Sequence, residues 1–390
     1  MGNCFCQLHI HPDQRELINP NENQENNSFA PKEINSEMTN HSLQIRLKNP
    51  KKNRIEQRMK NKLLELGNFV PIKEFKELIG IEIINEIQQK KFDSKQYITA
   101  SPSSNFDLDP FQFKDTNDIY YGSWNEDCEM EGNGLFYSFK NKIIIEGVWR
   151  KGDNICGRIF FPNGDVYEGA INNSLPNGKG ELRMSNQDKY TGEFKNGEMI
   201  NGQIYFADDG TKFEGFIENG GFNGKGKMNW RNVIEYEGNF ENSMLTGKGK
   251  IIKNIDINTK EIYEGDFYEN EFHGKGKYYF SNGDIYEGDF EFGNKKGYGI
   301  YSRNYGNLIQ FEGKWNNDLP NGNGVLVYGE YRLKGFWRNG VYMNSNEEID
   351  EIFNTIETNI MPPKISIFPN SLSHINIGNS NISHYTQDFI

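Results

Sequence analysis

A phrase of 22 to 27 residues recurs through more than half of this chain and leaves few folds open. Tyr263 to Phe290 reads YEGDFYENEFHGKGKYYFSNGDIYEGDF: Tyr-Glu-Gly-x-Phe, a polar turn, Gly-x-Gly-x-aromatic, Asn-Gly, and then the phrase begins again. Its central glycine returns at Gly122, Gly147, Gly169, Gly192, Gly215, Gly238, Gly265, Gly288, Gly313 and Gly335. A period of this length marks an array of small units, each too small to bury its own apolar face and stabilised by stacking on its neighbours.

Within a unit the period is two, which predicts strands. Tyr263, Gly265 and Phe267 project from one face and Glu264 and Asp266 from the other. The return strand repeats this, with Gly274, Gly276, Tyr278 and Phe280 opposite Lys275, Lys277 and Tyr279. Each unit is therefore expected to be a β-hairpin. Asn282-Gly283, Asn163-Gly164 and Asp209-Gly210 are expected to supply the positive φ angles of a tight turn between consecutive hairpins. Glycine is poor in strands, so its recurrence beside aromatics calls for rings lying flat over the backbone.

Tyr263-Glu264-Gly265-Asp266-Phe267, followed by Gly274-Lys275-Gly276 and Asn282-Gly283, resembles the MORN (membrane occupation and recognition nexus) repeat. Nine full copies and a half copy, Leu333 to Trp337, cover residues 119–340. The second copy is read with Ile145 for the leading aromatic and Ile159 for the second return glycine, the fourth with Ile204 at that glycine. The fold class expected is mainly β: an elongated single antiparallel sheet of tandem hairpins, with flanking helices and disordered tails.

Composition agrees with a thin sheet: 35% of residues are apolar, with 41 glycines and 28 phenylalanines. A net charge of −12 gives no basic majority to neutralise phosphates, so nucleic acid is not an expected partner. No apolar run is long enough to span a membrane, and no apolar segment follows the start as a secretory signal requires. Four cysteines in this length argue for a reducing setting.

The start, Met1-Gly2-Asn3-Cys4-Phe5-Cys6, suits N-myristoylation at Gly2 and palmitoylation at Cys4 and Cys6, and two acyl chains hold a membrane where one does so only marginally. The rest of residues 1–50 is expected to be largely disordered. The span 51–98 holds two expected helices. The first carries Lys48, Lys51, Lys52, Arg54, Arg58, Lys60 and Lys62 around an apolar stripe of Ile55, Met59, Leu63 and Leu66. It can lie on an anionic inner leaflet, each basic residue contributing about 1 kcal/mol, or dock by its stripe with its charges solvated. The second, residues 71–90, is read as a cap over the exposed first strand of the sheet. Residues 99–118 are read as a linker.

Opposite the rings, Glu146, Glu168, Glu214, Glu237, Glu264, Glu287 and Glu312 form a row. Lys179, Lys225, Lys248 and Lys275 on the return strands offer a phosphoinositide row, an activity the resemblance implies. The reading favoured from the charges is a cross-strand Glu/Lys ladder, because the glutamates outnumber the lysines. After the array, Ser345 and Glu348 form a capping box, and Ile349, Ile352, Phe353, Ile356 and Ile360 share one helical face within residues 341–361, ended by Pro362-Pro363. That helix is expected to close the last edge or to occupy the aromatic groove in cis. Residues 362–390 are expected to be disordered.

The resemblance implies protein partners bound along a groove of ring-face aromatics: Tyr167, Tyr190, Phe194, Phe213, Tyr236, Phe240, Tyr263, Phe267, Tyr286, Phe290, Phe311 and Trp315. With no phosphate loop, nucleophile elbow or zinc spacing, no catalytic residue, metal or cofactor is expected. The function expected is a non-catalytic, membrane-tethered scaffold at the cell cortex or cytoskeleton, with a homodimer open. The alternative is a regulatory or targeting subunit of a separate enzyme such as a phosphoinositide kinase.

Overall fold

The computed structural model describes residues 50–90, 92, 106–303 and 309–343. The chain divides into two units, to Ile55 and from Glu56. Of the first unit the described part is the start of one helix, α1 (Pro50–Leu66). The expected C-terminal helix, the acylation motif and both tails lie outside the described residues.

In the second unit the alternation of the repeats produces one open antiparallel sheet, with 23 strands among the described residues. From Ile119–Trp124 to Val341–Tyr342 each strand pairs with the next in sequence, so every pairing within this run is local in the chain. The half copy is completed as a hairpin of Tyr331–Arg338 with Val341–Tyr342.

Two expectations at the front of the sheet are corrected. The segment read as a linker contributes Phe106–Asp107 and Phe111–Phe113, which pair with successive parts of Ile119–Trp124, and Gly67–Phe69 pairs outside the latter. The first edge is thus covered by strands. Residues 71–90, read as its cap, are instead two helices, α2 (Ile72–Ile79) and α3 (Ile81–Gln89), on the sheet face away from the rings. Gly80 breaks them with φ +87, while its N–H closes α2 on the Lys76 carbonyl at 3.2 Å. The cause lies in the strands beneath. Ile119, Tyr137, Ile144, Phe160 and Val166 are directly paired in one row across the first hairpins. Phe75 and Ile79 close over this apolar row, joined by Ile83, Ile84 and Ile87. Lys90 to Glu168 (2.8 Å) and Arg183 to Glu86 (3.2 Å) pin the far end.

Each of the nine full hairpins bends at a bulge just past its paired glycines. Gly265 pairs with Gly276, but Asp266 pairs with His273, leaving Gly274 and Lys275 extra on the return strand. Gly274 sits at φ +58, a conformation that favours glycine. The first glycine of Gly-x-Gly is therefore the bulge residue and the second lies under the ring. On this register the second and fourth copies are corrected. Gly157 and Gly202 keep the ring position, and Ile159 and Ile204 pair with Ile145 and Tyr190. What these copies lack is the bulge glycine. Ile155 and Ile200 stand there, the bulge is one residue shorter, and no positive φ is needed.

The turns also differ from expectation. Between hairpins only the glycine of Asn282-Gly283 has positive φ (+87), in a turn closed by Gly283 N–H to the Phe280 carbonyl at 3.0 Å. The Asn282 side chain accepts from Asp284 N–H at 3.0 Å. Two-residue turns with both φ positive recur at the hairpin tips, as at Glu269 (φ 48) and Asn270 (φ 70), and between hairpins at Arg231 (φ 51) and Asn232 (φ 58). Most tips also reach back, as where Asn270 N–H donates to the Leu245 carbonyl of the preceding hairpin at 3.2 Å.

Candidate functional site

The twelve aromatics expected to line a partner groove are all buried, none more than 3% exposed. They are core, and the correction has a simple geometry. A Cβ on Gly276 would stand 2.4 Å from Tyr263 Cε2, so the ring lies flat on the glycine pair. Phe272 stacks on its other side at 3.9 Å, because the bulge folds the hairpin tip back over the ring. Phe267 and Phe290 meet the ring edge-on, each at 5.2 Å. Tyr236–Phe267, Tyr286–Trp315 and Phe311–Trp337 extend the chain of T-shaped contacts from hairpin to hairpin. The hydroxyl is satisfied too: Tyr263 donates to the Asp266 carbonyl at 2.8 Å, and Tyr167, Tyr190, Tyr236 and Tyr286 do the same to the residue three positions on.

The residue stacked over the ring, two before the bulge glycine, escaped the sequence reading. It is Pro176, Phe222, Leu245, Phe272 or Pro320, and its regular spacing before Gly-x-Gly was the available signal. In the eighth hairpin that place is taken by Lys295, fully buried, with its ammonium 5.7 Å from the Tyr286 ring centroid and 3.2 Å from Asp318. Burial pulls the Lys295 pKa down against the opposing pull of Asp318.

On the opposite face the expected ladder is present, with a different set of lysines. Glu237, Glu264 and Glu287 pair with Lys227 (3.2 Å), Lys250 and Lys277 (2.9 Å). Of the proposed phosphoinositide row, Lys248 is held by Asp266 at 2.7 Å and Lys275 by Asp289 at 2.5 Å, while Lys179 and Lys225 are exposed. The register explains this: the residue after the central glycine meets the middle residue of the preceding Gly-x-Gly.

Of the basic helix residues, Lys51, Lys52, Arg54, Arg58 and Lys62 are exposed and Lys60 is paired with Glu56 at 3.1 Å. Met59 and Leu63 of the stripe are buried while Leu66 is 52% exposed, so the middle of the stripe docks as basic groups face solvent, and the two readings of this helix are compatible. Gly2, Cys4, Cys6 and Lys48 lie outside the described residues.

Exposed apolar surface appears at the tips instead. Tyr268 and Phe292 are 48% and 55% exposed and flank His273, with ring centroids 5.6 and 5.4 Å away. Phe292 holds φ 44 in a turn position that carries Asn in six other hairpins, a backbone state that costs a bulky side chain.

A model of the MORN repeat matches residues 167–189, 190–199, 236–253, 263–285, 286–306 and 311–330. The chain carries MORN repeats. The MORN geometry of ring, glycine pair and bulge also extends outside those matches, to Tyr120 over Gly134 and Phe213 over Gly226. No curated protein matches the chain. Among the described residues no helix is long and apolar enough to cross a membrane.

Proposed function

We propose that this MORN-repeat chain is a non-catalytic scaffold, tethered at the cytoplasmic face of the plasma membrane, whose sheet holds protein partners. The observation that supports it most is that the ring face is closed on itself while aromatic side chains stand out at the hairpin tips. The repeats then supply a rigid frame, and contacts fall to what projects from it: Tyr268, His273 and Phe292, and the alternating charges of the ladder. MORN repeats are linked to membrane association, and the exposed bases of α1 support contact with an anionic leaflet beside acyl chains on Gly2, Cys4 and Cys6.

Affinity capture with the full chain, beside a Tyr268→Ser/Phe292→Asn variant, tests the scaffold reading. Structural proteins of the cortex retained by the wild type and lost by the variant are the result expected. One dominant kinase or transferase, retained by both, overturns it in favour of an enzyme's targeting subunit.

A further inference from the structure

The row of residues that α2 and α3 cover does not end with them. It continues by direct pairing across the sheet, and after Val166 it turns polar from Arg183 to Glu235. It then becomes apolar a second time: Ile252 pairs with Ile262, Ile262 with Tyr279, and Tyr279 with Ile285. All four are half-exposed, and Ile300 lies beside them one row away. The first apolar stretch of this row is closed by two short helices with Phe and Ile inward. The second is four strands wide against five and has the same chemistry, Ile with an aromatic.

We propose that residues 346–360 form a helix that docks on this second patch, as α2 and α3 dock on the first. Ile349, Ile352, Phe353, Ile356 and Ile360 recur at helical spacing, and Ser345 with Glu348 marks the start. This apolar stripe needs a surface, and the aromatic face is already filled by its own rings. The tether fits. Tyr342 is in the last described strand, four strand spacings or about 19 Å from the strand of Ile300. Residues 343–345, extended, and the helical turn from Asn346 to Ile349 together span up to about 19 Å. From Ile349 to Ile360 a helix rises about 16 Å, enough to run over Ile285, Tyr279 and Ile262. The acids Glu347, Glu348, Glu351 and Glu357 then stand on its solvent side or near the ladder lysines, as Glu86 of α3 stands by Arg183.

Two measurements on the full chain test this. Ile262→Cys with Ile356→Cys is expected to form a disulfide within one chain, while Ile217→Cys with Ile356→Cys, whose partner lies on the buried ring side, does not. Cleavage by a glutamate-specific protease at Glu351 and Glu357 is expected to be about tenfold slower in the wild type than in a Tyr279→Glu variant, which alters only the sheet surface. Equal cleavage of wild type and variant overturns the proposal. So does a cross-link found only between two chains, which would make the occupant a second copy.

Discussion

The ring of Tyr263 rests on Gly276 so closely that a methyl group there would meet Cε2 at 2.4 Å and the hydroxyl oxygen at 2.5 Å. The ring cannot retreat, because Phe272 stacks on its far side at 3.9 Å. Gly276→Ala is therefore expected to destabilise the array by about 1–3 kcal/mol, the usual cost of overpacking. Gly221→Ala, where the nearest atom to a new Cβ is 3.4 Å away, is the comparison and is expected to cost little. Urea unfolding of both variants checks this, and equal losses would remove the ring–glycine contact as the reason for the repeat's second glycine.

Lys295 and Asp318 form a buried ion pair within the aromatic row. Asp318 also accepts the Lys295 backbone N–H at 2.9 Å. Removing the acid strands a buried cation, so Asp318→Ala is expected to cost about 3–5 kcal/mol. Lys295→Met restores an apolar side chain at a place where other hairpins carry Phe or Leu, and is expected to cost far less. Denaturant midpoints of the two variants decide the order.

Alkaline pH should weaken the array. Burial raises the phenols of Tyr120, Tyr236, Tyr263 and Tyr286, and that of Tyr190 from 10.0 to about 12. A proton held more tightly in the folded chain contributes stability fully present below the unfolded pKa of 10.0 and lost as pH rises through the folded value. Ultraviolet titration of tyrosinate is expected to show these groups ionising together with loss of the fold, above pH 10. Ionisation of all tyrosines near pH 10 with the sheet intact contradicts the buried-ring core.

Phe292 occupies a strained turn position and is 55% exposed. Phe292→Asn is expected to leave stability unchanged or raise it by up to about 1–2 kcal/mol, the range of the left-handed penalty, while weakening partner capture. Thermal unfolding alongside capture reads both. A loss of stability with no loss of capture would make Phe292 a structural residue.

Much of this was legible in the residues. The period of the central glycine reports hairpins, and the aromatic beside it reports rings over backbone, because no other residue fits under a flat ring. The ladder was legible from the excess of glutamate over lysine, though the pairing lysines were displaced by two residues by a bulge that alternation alone does not reveal. That bulge also hid the burial of the rings: a flat sheet would leave Tyr263 and its neighbours exposed as a groove, whereas the bent hairpin brings Phe272 over them. The site of α2 and α3 followed from Ile119, Tyr137, Ile144, Phe160 and Val166, a stripe that becomes one row only when the register across five strands is known.

The central claim, a scaffold held at the membrane, is tested most directly by fractionation and imaging of the full-length chain in cells that acylate proteins, beside Gly2→Ala and a Cys4→Ser/Cys6→Ser double variant. Both variants are predicted to move to the cytosol while the wild type sediments with membranes, since one remaining weak anchor holds only marginally. Variants that stay with the membrane as the wild type does would contradict the acyl anchor and leave attachment to α1 or to a partner.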